Sequence, residues 1–173
     1  MFLGIDASAP LEERTSLFPA QCHQPSRGGA LPRTTLLLAD DNSEVLEHVS
    51  KMLGKEDDYK IVATLSNGAA VVPEYLRLRP DVILLDISMG AWSGIEIARQ
   101  LRDSGSGAKI IFLTVHEDSD YVSAAMGAGA SAYVVKSRLN VDLLCAIRAV
   151  LFNKFFVSPT LLHAGGEEGD HLE

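Results

Sequence analysis

Short, largely apolar runs recur along the middle of this chain, and each is followed by a segment with helical spacing of its apolar residues. The five runs are Thr35 to Ala39, Lys60 to Leu65, Val82 to Leu85, Ile110 to Leu113 and Ala132 to Val135. Runs without polar alternation are typical of parallel strands, whose two sheet faces are both covered by helices. The alternation therefore predicts an α/β fold, a five-stranded parallel doubly wound sheet with five helices joined by right-handed crossovers.

The intervening segments predict amphipathic helices. The expected core faces are Val45, Val49, Met52 and Leu53 for the first helix, behind an Asn42/Ser43 cap, and Leu144, Ile147 and Leu151 for the fifth. Pro73 should kink the second helix or delay its start, because proline lacks a backbone N–H.

Composition divides the chain into three parts. Residues 1–33 hold four of the seven prolines and no sustained apolar period, which predicts a flexible leader. Residues 34–159 carry the alternating pattern, and a 173-residue chain with 47% apolar residues suffices for one core. Residues 160–173 hold four acids and no base, which predicts a disordered tail or the start of a linker to an absent output domain.

Charge and hydropathy exclude several classes of protein. The central segment carries 16 acids and 12 bases without a basic stripe, so we expect no direct nucleic-acid binding by this chain. No apolar stretch approaches the roughly 18 to 20 residues of a membrane span. The first residues lack a basic segment before an apolar one, so no secretory signal is readable. These features favour a cytoplasmic protein without membrane contact.

Polar side chains follow four of the five predicted strands. Asp40 and Asp41 follow the first, Asp86 ends the third, Thr114 ends the fourth and Lys136 follows the fifth. Three neighbouring carboxylates repel one another unless a cation joins them, and an all-oxygen set suits Mg²⁺. An ammonium and a hydroxyl lie beside them, so we predict that the site binds a phosphoryl group and that Asp86 accepts it. Taken alone, the acidic pair suits a turn and helix cap equally well, and the threonine an ordinary strand position.

With these residues in this order, the sequence from Thr34 to Pro159 resembles the receiver (CheY-like) domain of two-component response regulators. The resemblance rests on the acidic pair, on Asp86-Ile87-Ser88-Met89, and on Thr114, Tyr133 and Lys136. The segments Gly129 to Ser137 and Phe156 to Pro159 are similar to the NarL/FixJ subgroup. The resemblance implies a flavodoxin-like strand order, 2-1-3-4-5.

The resemblance also implies a metal site and a phosphoacceptor. Asp86 would accept a phosphoryl group from a sensor histidine kinase. Mg²⁺ would be held by Asp41, Asp86 and the backbone carbonyl of Ser88, with Asp40 acting partly through water. Such a protein is a signalling phosphoacceptor rather than an enzyme, although it assists its own phosphorylation and dephosphorylation.

The remaining residues of the resemblance imply a switch. Lys136 and Thr114 would contact phosphoryl oxygens, and Tyr133 would turn inward as Thr114 moves, although Tyr133 also suits an ordinary core aromatic. The response would alter the surface formed by the fourth helix, fifth strand and fifth helix. Partners, an output domain or a second copy in a homodimer would read that surface.

Two departures from the family and two alternative functions stay open. Gly90 and Ser137 stand where the family usually has proline, which predicts a more mobile loop at Gly90 and leaves the isomer of the Lys136–Ser137 bond open. A Mg²⁺-dependent aspartyl-phosphate phosphatase would carry Asp-x-Asp after the first strand, whereas this chain has Asp40-Asp41-Asn42. A phosphorylation-independent interaction module would have lost an acid or the lysine, and none is lost.

Overall fold

A computed structural model describes residues 33–161. The strands are β1 (Thr34–Ala39), β2 (Tyr59–Leu65), β3 (Val82–Asp86), β4 (Ser88–Met89), β5 (Trp92–Ser93), β6 (Lys109–Thr114), β7 (Ala132–Val135) and β8 (Phe156–Val157). The helices are α1 (Ser43–Leu53), α2 (Val71–Leu78), α3 (Gly94–Asp103), α4 (Ser119–Gly127) and α5 (Leu139–Leu151). The predicted leader and tail lie almost wholly outside the described residues.

The main sheet is parallel and has the order β2-β1-β3-β6-β7-β8. The first five strands in this order confirm the predicted topology. The sixth corrects the predicted five-stranded sheet, because Phe156 and Val157 pair with Ala132 and Tyr133 at the outer edge. A strand of two residues is too short to leave a periodic signal in the sequence. A separate antiparallel pair, β4 with β5, lies directly after β3.

Helices cover both faces of the sheet, and the strand residues alternate between two cores. Leu37 and Ala39 of β1 face the core formed with α2, α3 and α4, whereas Leu36 and Leu38 face the core formed with α1 and α5. All five residues of β3 are buried, as expected for a central strand covered on both faces. Because the helices cover the faces of the sheet, a functional site is expected in the loops at the carboxyl ends of the strands.

Two local predictions about helix starts are confirmed. The side chain of Asn42 accepts the backbone N–H groups of Glu44 and Val45, at 2.9 and 3.4 Å, and caps α1. The helix α2 begins at Val71 after a 3₁₀ turn, which puts Pro73 in its first turn, where a missing N–H costs nothing. The Asn42 cap ends the loop that carries the acidic pair.

The predicted core face of α5 is wrong in part. The side chain of Ile147 is buried, but Leu144 is half-buried and Leu151 is 38% exposed. The core-facing residues are Leu139, Leu143, Ala146, Ile147 and Val150. The sequence of α5 is apolar around most of its circumference, so periodicity alone could not choose the face.

Two further facts complete the fold. The Lys136–Ser137 peptide bond is trans, as are all the peptide bonds between described residues. Between residues 33 and 161, none of the helices is both long and apolar enough to pass through a bilayer.

Candidate functional site

Three carboxylates and one ammonium group meet at the carboxyl edge of the sheet. Asp40 follows β1, Asp86 ends β3 and Lys136 follows β7. The strand order reverses at β1, which has β2 on one side and β3 on the other, and such a reversal leaves a crevice at the strand ends. The structure brings the predicted residues Asp40, Asp41, Asp86 and Lys136 together in this crevice.

Lys136 lies between two of the carboxylates. Its Nζ is 2.8 Å from Oδ2 of Asp40 and 3.2 Å from Oδ1 of Asp86. The three side chains are largely buried, with exposed fractions of 14%, 2% and 7% for Lys136, Asp40 and Asp86. Charges attract and repel more strongly away from water, so the ammonium offsets the repulsion between the two acids. With Asp41 counted, the cluster keeps a net negative charge.

The two carboxylate oxygens of Asp40 have different surroundings. Its Oδ1 accepts the backbone N–H of Asn42 at 2.9 Å. Its Oδ2 is buried and accepts no hydrogen bond from the described part of the chain. The Lys136 ammonium compensates this buried oxygen as an ion pair at 2.8 Å.

Burial has the largest effect on the pKa of Asp86. It raises the pKa of the carboxyl group above its usual value. The positive charge of Lys136 opposes this shift, the negative charge of Asp40 adds to it, and a backbone hydrogen bond from Ser88 lowers the pKa slightly. The carboxylate is therefore poorly stabilised as an anion by the protein alone, and an added cation would stabilise it.

Asp41 supplies the third carboxylate from the exposed side of the cluster. One oxygen from each of Asp40, Asp41 and Asp86 lies within 4.8 Å of the others. Oxygen ligands of an octahedral Mg²⁺ at 2.0–2.1 Å are about 3 to 4 Å apart, a spacing that lies within this 4.8 Å limit. The all-oxygen donor set of the three carboxylates therefore fits Mg²⁺. The role of the Ser88 carbonyl as a further ligand stays a prediction.

Thr114 is fully buried at the end of β6. Leu113, the residue before it, pairs with Asp86 across the sheet, so the threonine lies one residue beyond the level of Asp86 on the neighbouring strand. Its Oγ1 accepts the backbone N–H of His116 at 3.0 Å. The hydroxyl is thereby attached to the loop between β6 and α4.

Tyr133 is fully buried in β7, with its ring turned inward. Its hydroxyl donates to the backbone carbonyl of His116 at 3.0 Å. Burial raises the pKa of Tyr133 to about 12, although a hydrogen bond with Thr114 partly opposes the shift. The inward position is the one that we predict for the phosphorylated state, and the switch itself stays a prediction.

A histidine contacts the loop that follows Asp86, in a contact that the sequence did not reveal. The Nε2 of His116 lies 3.3 Å from Oγ of Ser88, and the imidazole stacks on Tyr121 with ring centroids 4.2 Å apart and planes 9° from parallel. The only sequence signal was the position of His116 two residues after Thr114. A contact between residues 28 positions apart, in two loops, leaves no pattern that periodicity can find.

Gly94, at the start of α3, sets how closely that helix approaches the backbone of Asp86. A Cβ at this position would collide with the backbone carbonyl oxygen of Asp86. Its N–H donates to the carbonyl of Ile87 at 2.7 Å. Gly90 has a φ of +58°, which lets the chain reverse between β4 and β5. The two glycines fix the path of the loop that follows Asp86.

Comparisons with known proteins agree with this geometry. The sequence profile of the response regulator receiver domain matches residues 36–148. The chain is 31% identical over 127 residues to the oxygen regulatory protein NreC of Staphylococcus epidermidis, a match that covers 73% of this chain and 58% of NreC. It is 30% identical over 128 residues to the transcriptional regulatory protein DegU of Brevibacillus brevis, with 74% and 54% covered. The chain thus spans little more than half the length of these curated relatives.

Solved structures give the same result. A crystal structure of a two-component response regulator of the LuxR family from Aurantimonas sp. aligns with a TM-score of 0.72 at 29% identity, over 75% of this chain and 93% of that chain. The isolated REC domain of RcsB from Salmonella enterica, in the presence of the phosphomimetic BeF₃⁻, aligns with a TM-score of 0.70 over 75% of this chain and 96% of that chain. At 22% identity, the second likeness concerns the fold alone.

Proposed function

The chain belongs to the response regulator receiver domain family, and we propose that it is a phosphorylation-dependent switch whose phosphoacceptor is Asp86. One observation carries the proposal: a single lysine, Lys136, contacts the buried carboxylates of both Asp40 and Asp86 at the ends of adjacent strands. A buried carboxylate with a raised pKa, in a crevice with a charge partner, is a candidate functional group.

Asp86 supplies the nucleophile in this proposal. One of its carboxylate oxygens attacks the phosphorus of a phosphohistidine on a sensor kinase, and a P–O bond forms as the P–N bond breaks. The electron pair of the broken bond leaves with the imidazole, which is stabilised by a proton. The product is an acyl phosphate on Asp86, and attack of water on its phosphorus returns the carboxylate and inorganic phosphate.

Two further side chains bind the transferred group. Lys136, which contacts Asp86 in the free protein, exchanges that contact for a phosphoryl oxygen, and the Thr114 hydroxyl leaves the N–H of His116 to donate to another oxygen. Asp40 and Asp41, together with Asp86, would hold Mg²⁺, which supplies charge neutralisation and orients the phosphoryl oxygens when bound.

The partners follow from the same proposal. A sensor histidine kinase donates the phosphoryl group, and phosphorylation changes the binding of an output domain, a partner or a second copy of the chain. The curated relatives include a transcriptional regulatory protein. We propose that the described domain takes part in such regulation without contacting DNA itself, as a signalling phosphoacceptor and not as an enzyme with a separate substrate.

The alternative of a phosphatase with its nucleophile after the first strand is disfavoured by Asn42. In such enzymes a second acid occupies this position. Here the Asn42 side chain accepts two backbone N–H groups as the cap of α1, so it is committed to the helix start.

Acetyl phosphate with Mg²⁺ tests the proposal. We expect intact-mass spectrometry to find one added phosphoryl group that survives acid and is released by alkali. The Asp86→Asn variant should gain none, whereas Asp57→Asn, which changes a side chain that is 96% exposed, should gain as much as the wild type. A wild-type protein without added phosphate, or an unchanged yield in Asp86→Asn, would show that the proposal is wrong.

A further inference from the structure

The edge strand β8 is held to β7 by more than its short ladder. The N–H of Ser158 donates to the carbonyl of Tyr133 at 2.9 Å. The N–H of Val135 donates at 3.1 Å to the hydroxyl oxygen of Ser158 rather than to a strand carbonyl. Pro159 follows and has no N–H, so the ladder cannot continue beyond this point. The Ser158 side chain therefore supplies the last bond of the strand.

The Ser158 hydroxyl also donates into α5. Its acceptor is Oδ2 of Asp142, at 2.7 Å. Asp142 is buried, at 3% exposed, and both of its oxygens are also bound by the guanidinium group of Arg138, at 2.8 and 3.2 Å. Ser158 is itself wholly buried. A buried carboxylate that is fully paired in this way fixes the groups around it, because each lost bond would leave a buried polar atom unsatisfied.

The bonds converge on the backbone beside the phosphoryl-binding lysine. Val135, whose N–H is held by Ser158, is the last residue of β7, and Lys136 follows it directly. Arg138, which holds Asp142, lies two residues after that lysine. The segment from Val135 to Arg138 is therefore bound at both ends by one buried pair, Ser158 and Asp142, and the lysine lies between the two attachments.

We propose that Ser158 and Asp142 are positioning residues for Lys136, so that pairing of β8 with β7 and binding of a phosphoryl group at Asp86 stabilise each other. The coupling rests on the proposed function, because it requires a phosphoryl group at Asp86, whereas the positioning of Lys136 does not. Ser158 lies beyond residues 36–148 that the family profile matches, so membership of the family does not assign it this role. Because coupling between two sites is reciprocal, a group that holds Lys136 in place for a phosphoryl oxygen is itself held more firmly when that oxygen is bound.

Ser158→Ala is the variant that tests the proposal, because it removes the hydroxyl and little volume. Its matched control is Ile61→Val in β2, a small loss of packing at the opposite edge of the sheet. Beryllofluoride with Mg²⁺ serves as the phosphoryl probe, and its binding is followed through the fluorescence of Trp92, the single tryptophan of the chain. Backbone amide exchange is measured in the same proteins, with and without the probe.

In Ser158→Ala we expect faster exchange at the amides of Val135, Lys136 and β8, and affinity for the probe lower by roughly fivefold, at the lower end of common coupling strengths. In Ile61→Val the affinity should be that of the wild type. In the wild type, the probe should slow exchange in β8. Asp142→Asn keeps an acceptor for the Ser158 hydroxyl and should lose less affinity than Ser158→Ala.

Faster exchange in β8 of Ser158→Ala together with unchanged probe affinity would overturn the proposal. Equal losses of affinity in Ser158→Ala and Ile61→Val would do so as well, because the effect would then be one of general stability. A wild-type protein that binds no beryllofluoride would contradict the proposed function and the coupling. The exchange rate of the Lys136 backbone amide would then test the positioning of Lys136 alone. This exchange must still be faster in Ser158→Ala.

Discussion

The hydroxyl of Tyr133 donates to the backbone carbonyl of His116, at 3.0 Å. The N–H of the same histidine donates to the hydroxyl of Thr114, also at 3.0 Å. The two predicted switch residues are therefore attached to one residue of the loop between β6 and α4. A movement of Thr114 toward a phosphoryl group releases one of these bonds and shifts the acceptor of the other, so the two side chains cannot rearrange independently.

Tyr133→Phe should lower the free energy of unfolding by about 0.5 to 1.5 kcal/mol for each hydrogen bond that the hydroxyl makes. The ring stays buried, so the loss is that of the hydroxyl's hydrogen bonds, to the His116 carbonyl and with Thr114. Urea unfolding at neutral pH measures it. Tyr121→Phe is the control, because the stacking of that ring on His116 needs no hydroxyl, and it should leave the stability unchanged.

The same variant should change the stability in alkali. The pKa of Tyr133 is about 12 in the folded protein and 10.0 as the ordinary value, so between these pH values the folded state holds a proton that the unfolded state has lost. Stability therefore falls as the pH rises from about 10 to about 12. In Tyr133→Phe this part of the fall is absent, and urea unfolding across that range should show a shallower slope. Equal slopes in the two proteins would contradict the assignment.

Asp86→Asn should stabilise the protein without metal at neutral pH. The pKa of Asp86 is raised above its ordinary value of 3.8, chiefly by burial, so the folded state binds more protons than the unfolded state just above that value. The free energy of unfolding therefore falls as the pH rises through the pKa of Asp86 in the folded protein, and the ionised carboxylate destabilises the fold at pH 7. The amide should recover about 1 to 3 kcal/mol, the range for a poorly solvated buried group.

Unfolding without Mg²⁺, followed from pH 4 to pH 8, measures this gain. Adding Mg²⁺ should stabilise the wild type and have little effect on Asp86→Asn, because the variant lacks one carboxylate of the cluster. A variant that is less stable than the wild type at pH 7 without metal would contradict the prediction.

Much of the site could be predicted because a parallel sheet converts sequence order into position. Each of Asp40, Asp86, Thr114 and Lys136 follows or ends an apolar run, and the carboxyl ends of such strands share one edge. The burial of Thr114 and Tyr133 follows from the same strands. What the sequence could not supply were contacts between loops, such as that of His116 with Ser88, and the close approach of Gly94 to Asp86.

The edge strand β8 is the clearest example of an element that the sequence could not predict. The strand β8 has two residues and is held by Ser158, whose partners Val135 and Asp142 lie 23 and 16 positions away. Propensity has no basis for detecting a strand whose last bond comes from a side chain. In α5 the opposite problem arises, since the excess of apolar residues hides which face is covered.

Asp41→Ala should remove most of the Mg²⁺ affinity while leaving the fold intact. Asp41 is the exposed member of the three-carboxylate cluster, so its loss removes a ligand without opening the core. Titration calorimetry should find weak Mg²⁺ binding in the wild type, stronger binding with beryllofluoride, and neither in the variant. Asp57→Ala removes an equal charge from a side chain that is 96% exposed and should bind as the wild type does. Retained binding in Asp41→Ala would place the metal elsewhere.

His116→Ala should shorten the lifetime of the acyl phosphate on Asp86 several-fold. The imidazole contacts Ser88, two residues after Asp86, and stacks on Tyr121, so we expect its removal to give water a wider approach to the phosphorus. The backbone bonds of residue 116 to Thr114 and Tyr133 do not need the imidazole. The measurement is the release of inorganic phosphate after the donor is removed. His48→Ala is the matched control, because that exposed ring bonds to Asn140 between α1 and α5, and the lifetime in this variant should equal that of the wild type. An unchanged or longer lifetime in His116→Ala would mean that the imidazole does not shield the acceptor.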